Sequence, residues 1–148
     1  MFWIDFLIFL SACMAAGLTG SLFPPGKWYS DLHKPRWTPP NWIFPVAWPI
    51  LYILMSYSGA TLANLENSGS ALALWALQIA INTLWTPVFF GLKNIKGGLM
   101  IILLLLVSVL VSTCVFWLYS SLAAVLFLPY LAWVAFAATL NAAVFRLN

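Results

Sequence analysis

The chain is written as five long apolar stretches parted by short polar ones. The first runs from Trp3 to Phe23 and stops at Pro24-Pro25. Residues 26–41 are polar and rich in proline. Apolar stretches follow at 42–62, 70–91, 97–119 and 122–145, with breaks at Asn64–Gly69, Leu92–Lys96 and Ser120-Ser121. Each is close to the ~20 residues with which a helix crosses ~30 Å of hydrocarbon. Backbone groups in lipid must be bonded internally, which makes helices the default. The pattern predicts an all-α, integral membrane, five-transmembrane-helix bundle. It forms a single domain over 1–148, with one long loop at 26–41.

Composition agrees. Hydrophobic residues make up 64% and charged residues 6% of the 148, against roughly 25% charged in a soluble domain. No basic residue precedes the first apolar run, so a cleaved secretory leader is not expected. Five spans put the termini on opposite faces. Call the N-terminal face side A and the other side B. All six basic residues (Lys27, Lys34, Arg36, Lys93, Lys96 and Arg146) then fall on side B, whereas side A has Asp5 and Glu66. The positive-inside rule makes side B cytoplasmic if the membrane is an inner one. A net charge of +3, scattered in this way, gives no footprint for nucleic acid.

The absent groups narrow the chemistry. Asp5 and Arg146 stand at span ends. No other Asp, Glu, Lys, Arg or His lies in a span, and none lies at depth, where proton relays, ion sites and charged-substrate carriers place them. No nucleophile set, carboxylate pair or phosphate loop is present, and no metal site or cofactor is expected. His33, the only histidine, reads as a solvated loop residue. Cys13 and Cys114 sit alone in apolar runs and read as small core residues.

Nine tryptophans are the strongest positive signal. The interfacial belt accounts for Trp3, Trp75, Trp117 and Tyr119 near side A, and for Trp28, Tyr29, Trp37 and Trp42 near side B. It does not account for Trp48, Trp85 and Trp133, which lie at depth, where an indole N–H needs a partner. Helical spacing groups these with polar residues. Phe44, Trp48 and Tyr52 share one face; so do Gln78, Asn82, Trp85 and Phe89; so do Tyr130, Trp133, Ala137 and Asn141. Two readings stand. The stripes pack as core, with Gln78, Asn82 and Asn141 as interhelical hydrogen-bond partners; or they line a cavity for a large, flat, mostly apolar ligand, roofed by 26–41. In that roof Pro35, Pro39 and Pro40 limit the loop's freedom. Pro45 falls in or just past the first turn of its helix, and Pro49 lies deeper. Two ridges of small residues allow close helix approach, within the bundle or in a dimer: Ala12, Ala16 and Gly20, and Gly69, Ala73, Ala76 and Ala80.

Several of these residues carry a family resemblance. Trp28-Tyr29, Lys34-Pro35, Trp37-Thr38-Pro39-Pro40 and Phe44-Pro45-x-x-Trp48 are joined by the run Asn82-Thr83-Leu84-Trp85-Thr86-Pro87-Val88-Phe89-Phe90-Gly91. Pro129-Tyr130-x-x-Trp133 and Ala138-Thr139-Leu140-Asn141 follow. Over nearly its whole length the sequence resembles the TspO/MBR family, the tryptophan-rich sensory proteins related to the mitochondrial translocator protein. The resemblance implies a five-helix bundle, often a homodimer, that binds porphyrins such as protoporphyrin IX. Sterol-like and benzodiazepine-type ligands are implied as well. It implies ligand-binding roles for Trp48, Asn82, Trp85, Phe89 and Trp133, with Trp37, Phe44, Tyr52 and Ala137 beside them. It also implies a rival activity, light-dependent porphyrin degradation through Trp48 and Trp133, and it admits an outer as well as an inner membrane. Two positions depart from the pattern. Ala142 stands where the sterol motif of animal members has Tyr, and Arg36 precedes Trp37 where some bacterial members have a second Trp.

Overall fold

The computed structural model describes residues 1–148. It has no strands. Five helices are long and apolar enough to span a membrane: α1 (Phe2–Leu22), α3 (Ile43–Ala63), α4 (Gly69–Thr86, extended by a π-turn to Gly91), α5 (Ile95–Tyr119) and α6 (Ser121–Leu147). A sixth, α2 (Gly26–Asp31), is short and lies in the long loop. The chain is an integral membrane protein built as this five-helix bundle.

The breaks between helices have local causes. Asn67 and Lys93 take positive φ in the α3–α4 and α4–α5 turns. The Asn94 side chain caps α5 by accepting from the Gly97 N–H at 2.8 Å. Ser120 alone separates α5 from α6: it is extended, and its hydroxyl caps α6 by accepting from the Ala123 N–H. Both caps satisfy N–H groups that the first helical turn leaves free.

Each helix packs against its neighbours in the order α1, α3, α6, α5, α4, and α4 returns to α1 to close the ring. Polar ties join the walls. Asn64 Nδ2 donates to Asp5 Oδ2 (2.9 Å) between α3 and α1, and the Ser58 hydroxyl donates to the Ala123 carbonyl (2.9 Å) between α3 and α6. Ser70 and Tyr119 share a hydrogen bond at 2.7 Å between α4 and α5. The α1–α3 seam is close because glycine lines it. A Cβ at Gly59 would lie 2.8 Å from the Phe9 ring, and one at Gly17 would lie 2.9 Å from the Tyr52 ring.

The side A half of the ring is filled. Phe116 meets Phe127 edge-on at 4.8 Å, and Phe9 meets Trp75 at 4.5 Å. Trp75 is a correction to the belt assignment: it is buried, and its indole N–H donates to the Met55 carbonyl at 3.0 Å. Cys114 is also corrected; it faces outward, whereas Cys13 is buried. Gln78 is fully buried, but neither atom of its amide has a hydrogen-bond partner, so it is not the interhelical tie expected of it. The Gly69, Ala73, Ala76 and Ala80 ridge points out of the bundle, each residue exposed.

Candidate functional site

The side B half of the ring is hollow. A cavity of about 660 Å³ lies there, walled by α1, α3, α4 and α6, with Ile102 and Leu105 of α5 behind. Of the nine residues singled out by sequence, eight line it. Phe44, Trp48 and Tyr52 come from α3, Asn82 and Trp85 from α4, Phe89 from its π-turn, and Trp133 and Ala137 from α6. Trp37 does not. It is half exposed on the loop and packs edge-on against Phe136 at 5.8 Å, outside the cavity.

The rings line the walls and leave the centre clear. Trp48 lies 5.5 Å from Tyr52 and 6.4 Å from Trp133, and Trp133 meets Phe44 at 5.8 Å. On the facing wall Phe89 stacks on Trp85 at 4.9 Å with 17° between planes. That stacking depends on the π-turn. Pro87 has no N–H to continue the α-pattern, and the turn closes instead with Leu92 N–H bonded to the Pro87 carbonyl at 2.9 Å. Such insertions recur at functional sites because they re-aim side chains.

Of the three deep indoles, only Trp85 gives its N–H to a protein acceptor, Asn141 Oδ1 at 3.1 Å; Asn141 Nδ2 in turn donates to the Ile95 carbonyl at 3.3 Å. Asn82 donates through Nδ2 to the Tyr130 hydroxyl at 2.9 Å. Its Oδ1 and second amide hydrogen are left for whatever enters the cavity it lines. Tyr130 itself is fully buried behind the wall. The site therefore offers flat apolar faces with a few fixed polar groups and no charged side chain among its lining residues.

The loop over the site is more structured than the sequence predicts. Lys34 Nζ donates to the Tyr29, Ser30 and Leu32 carbonyls at the end of α2, and lies 4.4 Å over the Tyr29 ring. Trp28 packs edge-on on Phe89 at 5.7 Å, and Tyr29 on Phe90 at 5.3 Å. These two are roof contacts, not belt residues, and burial raises the Tyr29 phenol above its ordinary pKa. The side-chain amide of Asn148 fastens the loop to the end of α6. It donates to the His33 carbonyl at 2.8 Å and accepts from the His33 N–H at 3.0 Å.

Helix α1 is the wall that the sequence reading missed. Met14, Gly17, Leu18, Gly20 and Ser21 all line the cavity. The cavity reaches the surface between α1 and α3, where Met14, Leu18, Pro45 and Pro49 are exposed. A Cβ added at Gly20 would meet nothing within 4 Å. The signal was in the small-residue ridge, whose Gly20 leaves space for a ligand where close helix contact was expected.

Comparison with known proteins bears on this geometry. The family model described as TspO/MBR family matches residues 9–147. Protein CrtK of Rhodobacter capsulatus is 50% identical over 147 residues, covering 97% of this chain and 92% of the relative. A tryptophan-rich sensory protein of Cereibacter sphaeroides is 47% identical over 148 residues, covering 100% and 94%. The human translocator protein is 37% identical over 155 residues, covering 99% and 91%.

Proposed function

The chain belongs to the TspO/MBR family of membrane proteins, and we propose that it is a receptor or translocator for porphyrins and related flat apolar ligands. The observation that carries this is the convergence of three aromatic stripes on one cavity of about 660 Å³, within the roughly 300–1,000 Å³ of small-molecule sites. Protoporphyrin IX is the type ligand. Trp48, Trp85, Phe89 and Trp133 supply its stacking faces. Asn82 and the free indole N–H of Trp48 supply polar anchors. Its propionates would turn to side B, where Lys27 and Arg36 are exposed. The relatives' names, sensory protein and translocator protein, fit a ligand-responsive or ligand-moving role.

The proposal extends to the setting. On this reading side B, which carries the basic residues, faces the cytoplasm if the membrane is an inner one. The outward ridge of Gly69, Ala73, Ala76 and Ala80 suits a homodimer.

Quenching of tryptophan fluorescence by protoporphyrin IX in detergent tests the site. Trp48→Ala and Asn82→Ala should each weaken binding, and unchanged affinity in both would sink the assignment. A second reading, light-driven degradation of the bound porphyrin, is favoured by the Trp48–Trp133 pair at 6.4 Å on the wall. A new absorbing product after illumination, lost in Trp133→Phe, would support it. Bleaching equal to that of free porphyrin would reject it.

A further inference from the structure

A second hollow lies on the outside of the bundle, between α3 and α6. It is a groove of about 570 Å³, with Ala47 and Ile50 on one bank and Pro129, Ala132, Trp133 and Phe136 on the other. Its lining is almost wholly apolar. Ile50 is eight residues into α3, so the groove reaches on the order of 10 Å into that span at 1.5 Å per residue. At that depth the surrounding solvent is hydrocarbon, and water finds no partners there.

Trp133 belongs to both hollows. On the inner side it meets Phe44 and Trp48; on the outer side it lies 6.0 Å from Phe136 at 41°. The wall between cavity and groove is thus one side chain thick at this point. The Trp133 indole is only half-buried, and no protein acceptor holds its N–H.

We propose that the α3–α6 groove is a binding site for a single lipid acyl chain, coupled to the inner cavity through Trp133. The chemistry selects this occupant: a shallow apolar trough with a small alanine on each bank leaves room for a flexible methylene chain, and acyl chains are the solvent that meets it. A chain in the groove backs the outer face of Trp133 and fixes the inner wall. An empty groove lets the indole move outward. Because coupling is reciprocal, a ligand that fixes Trp133 from inside also favours the chain outside.

The coupling half rests on the porphyrin reading; the lipid half does not, and the experiment keeps them apart. The protein is placed in nanodiscs of phospholipid brominated in mid-chain, and Trp133's share of the quenching is taken from the difference with Trp133→Phe. Ala132→Leu fills the groove without touching the cavity lining. It should abolish that share, and Ala47→Leu should do so from the opposite bank. Quenching of Trp133 that is the same in wild type and both variants overturns the lipid site. So does quenching by a brominated sterol but not by brominated chains, which would assign the groove to a rigid ring. In the same discs Ala132→Leu should tighten protoporphyrin IX binding by about two- to tenfold, the scale set by immobilising one large side chain. Affinity unchanged in both filled-groove variants overturns the coupling. If protoporphyrin IX fails to bind wild type, the porphyrin reading falls, and the quenching result still decides the lipid site.

Discussion

Gly98→Ala gives the sharpest test of the cavity's outer support. Gly98 is buried on α5, behind the Trp85 wall. A Cβ there would lie 2.6 Å from Phe89 Cδ2, 3.2 Å from Phe89 Cβ and 3.3 Å from Asn141 Oδ1. Carbon atoms sit comfortably at about 3.5–4.0 Å, so Phe89 must retreat by about an ångström. It has nowhere to go. It is 3% exposed, stacked on Trp85 and met edge-on by Trp28 and Phe90. Overpacking of this kind costs about 1–3 kcal/mol. The glycine-to-alanine change also favours the helix by up to about 1 kcal/mol, which would blur a single measurement. Gly20→Ala cancels that term, because the same change on α1 meets open space. The difference between the two variants therefore isolates the packing term. At roughly 2–4 °C per kcal/mol for a chain of this size, Gly98→Ala should melt about 2–12 °C below Gly20→Ala in a detergent unfolding assay followed by circular dichroism. It should also weaken protoporphyrin IX binding, because Phe89 and the Asn141 acceptor of Trp85 are both displaced. Equal melting, or a higher value for Gly98→Ala, would refute the claim that Phe89 is clamped between α5 and Trp85.

Three more outcomes follow from the same contacts. Asn82→Ala should destabilise the fold by about 1–3 kcal/mol by leaving the buried Tyr130 hydroxyl without its partner; in a double-mutant cycle by thermal melting, adding Tyr130→Phe should recover part of that loss. Gln78→Leu should raise the melting temperature, since it removes a buried amide that has no hydrogen bond, worth about 1–3 kcal/mol; a fall would mean that the amide is satisfied. Affinity for an uncharged cavity ligand should be flat from about pH 6 to about pH 8, because no carboxylate, histidine or amine lines the cavity. The one lining phenol outside the spans, Tyr29, is moved further from that window by burial. Titration of a benzodiazepine-type ligand across that range checks this, and a step in affinity would point to a charged group the lining does not contain.

Much of the architecture was legible because lipid imposes simple rules on a sequence. Hydrophobic length and the breaks between runs located the spans, and the proline, serine and asparagine positions marked their ends. The aromatic stripes were legible because i, i+4 and i+7 positions share a helix face whatever surrounds it. Which face looks inward was harder to read. In water an apolar stripe marks the core, but in a bilayer both core and lipid accept apolar side chains, so hydrophobicity does not separate them. That is why Trp75 read as a belt residue and is buried, why Cys114 read as core and faces outward, and why α1 was not expected as a wall. The partner of each polar group was equally invisible. Residue type said that Asn82, Gln78 and Asn141 needed hydrogen bonds; only the ring order of the helices gave Tyr130 to Asn82 and Trp85 to Asn141, and gave Gln78 none. The sequence by itself determined how many helices cross, roughly where they end and which residues have the chemistry for a flat ligand. The tertiary structure decided that eight of those residues meet around one hollow, that Trp37 stays outside it, and that Trp133 is the thin wall to the lipid. Those are matters of which helix lies beside which, and no local pattern encodes them.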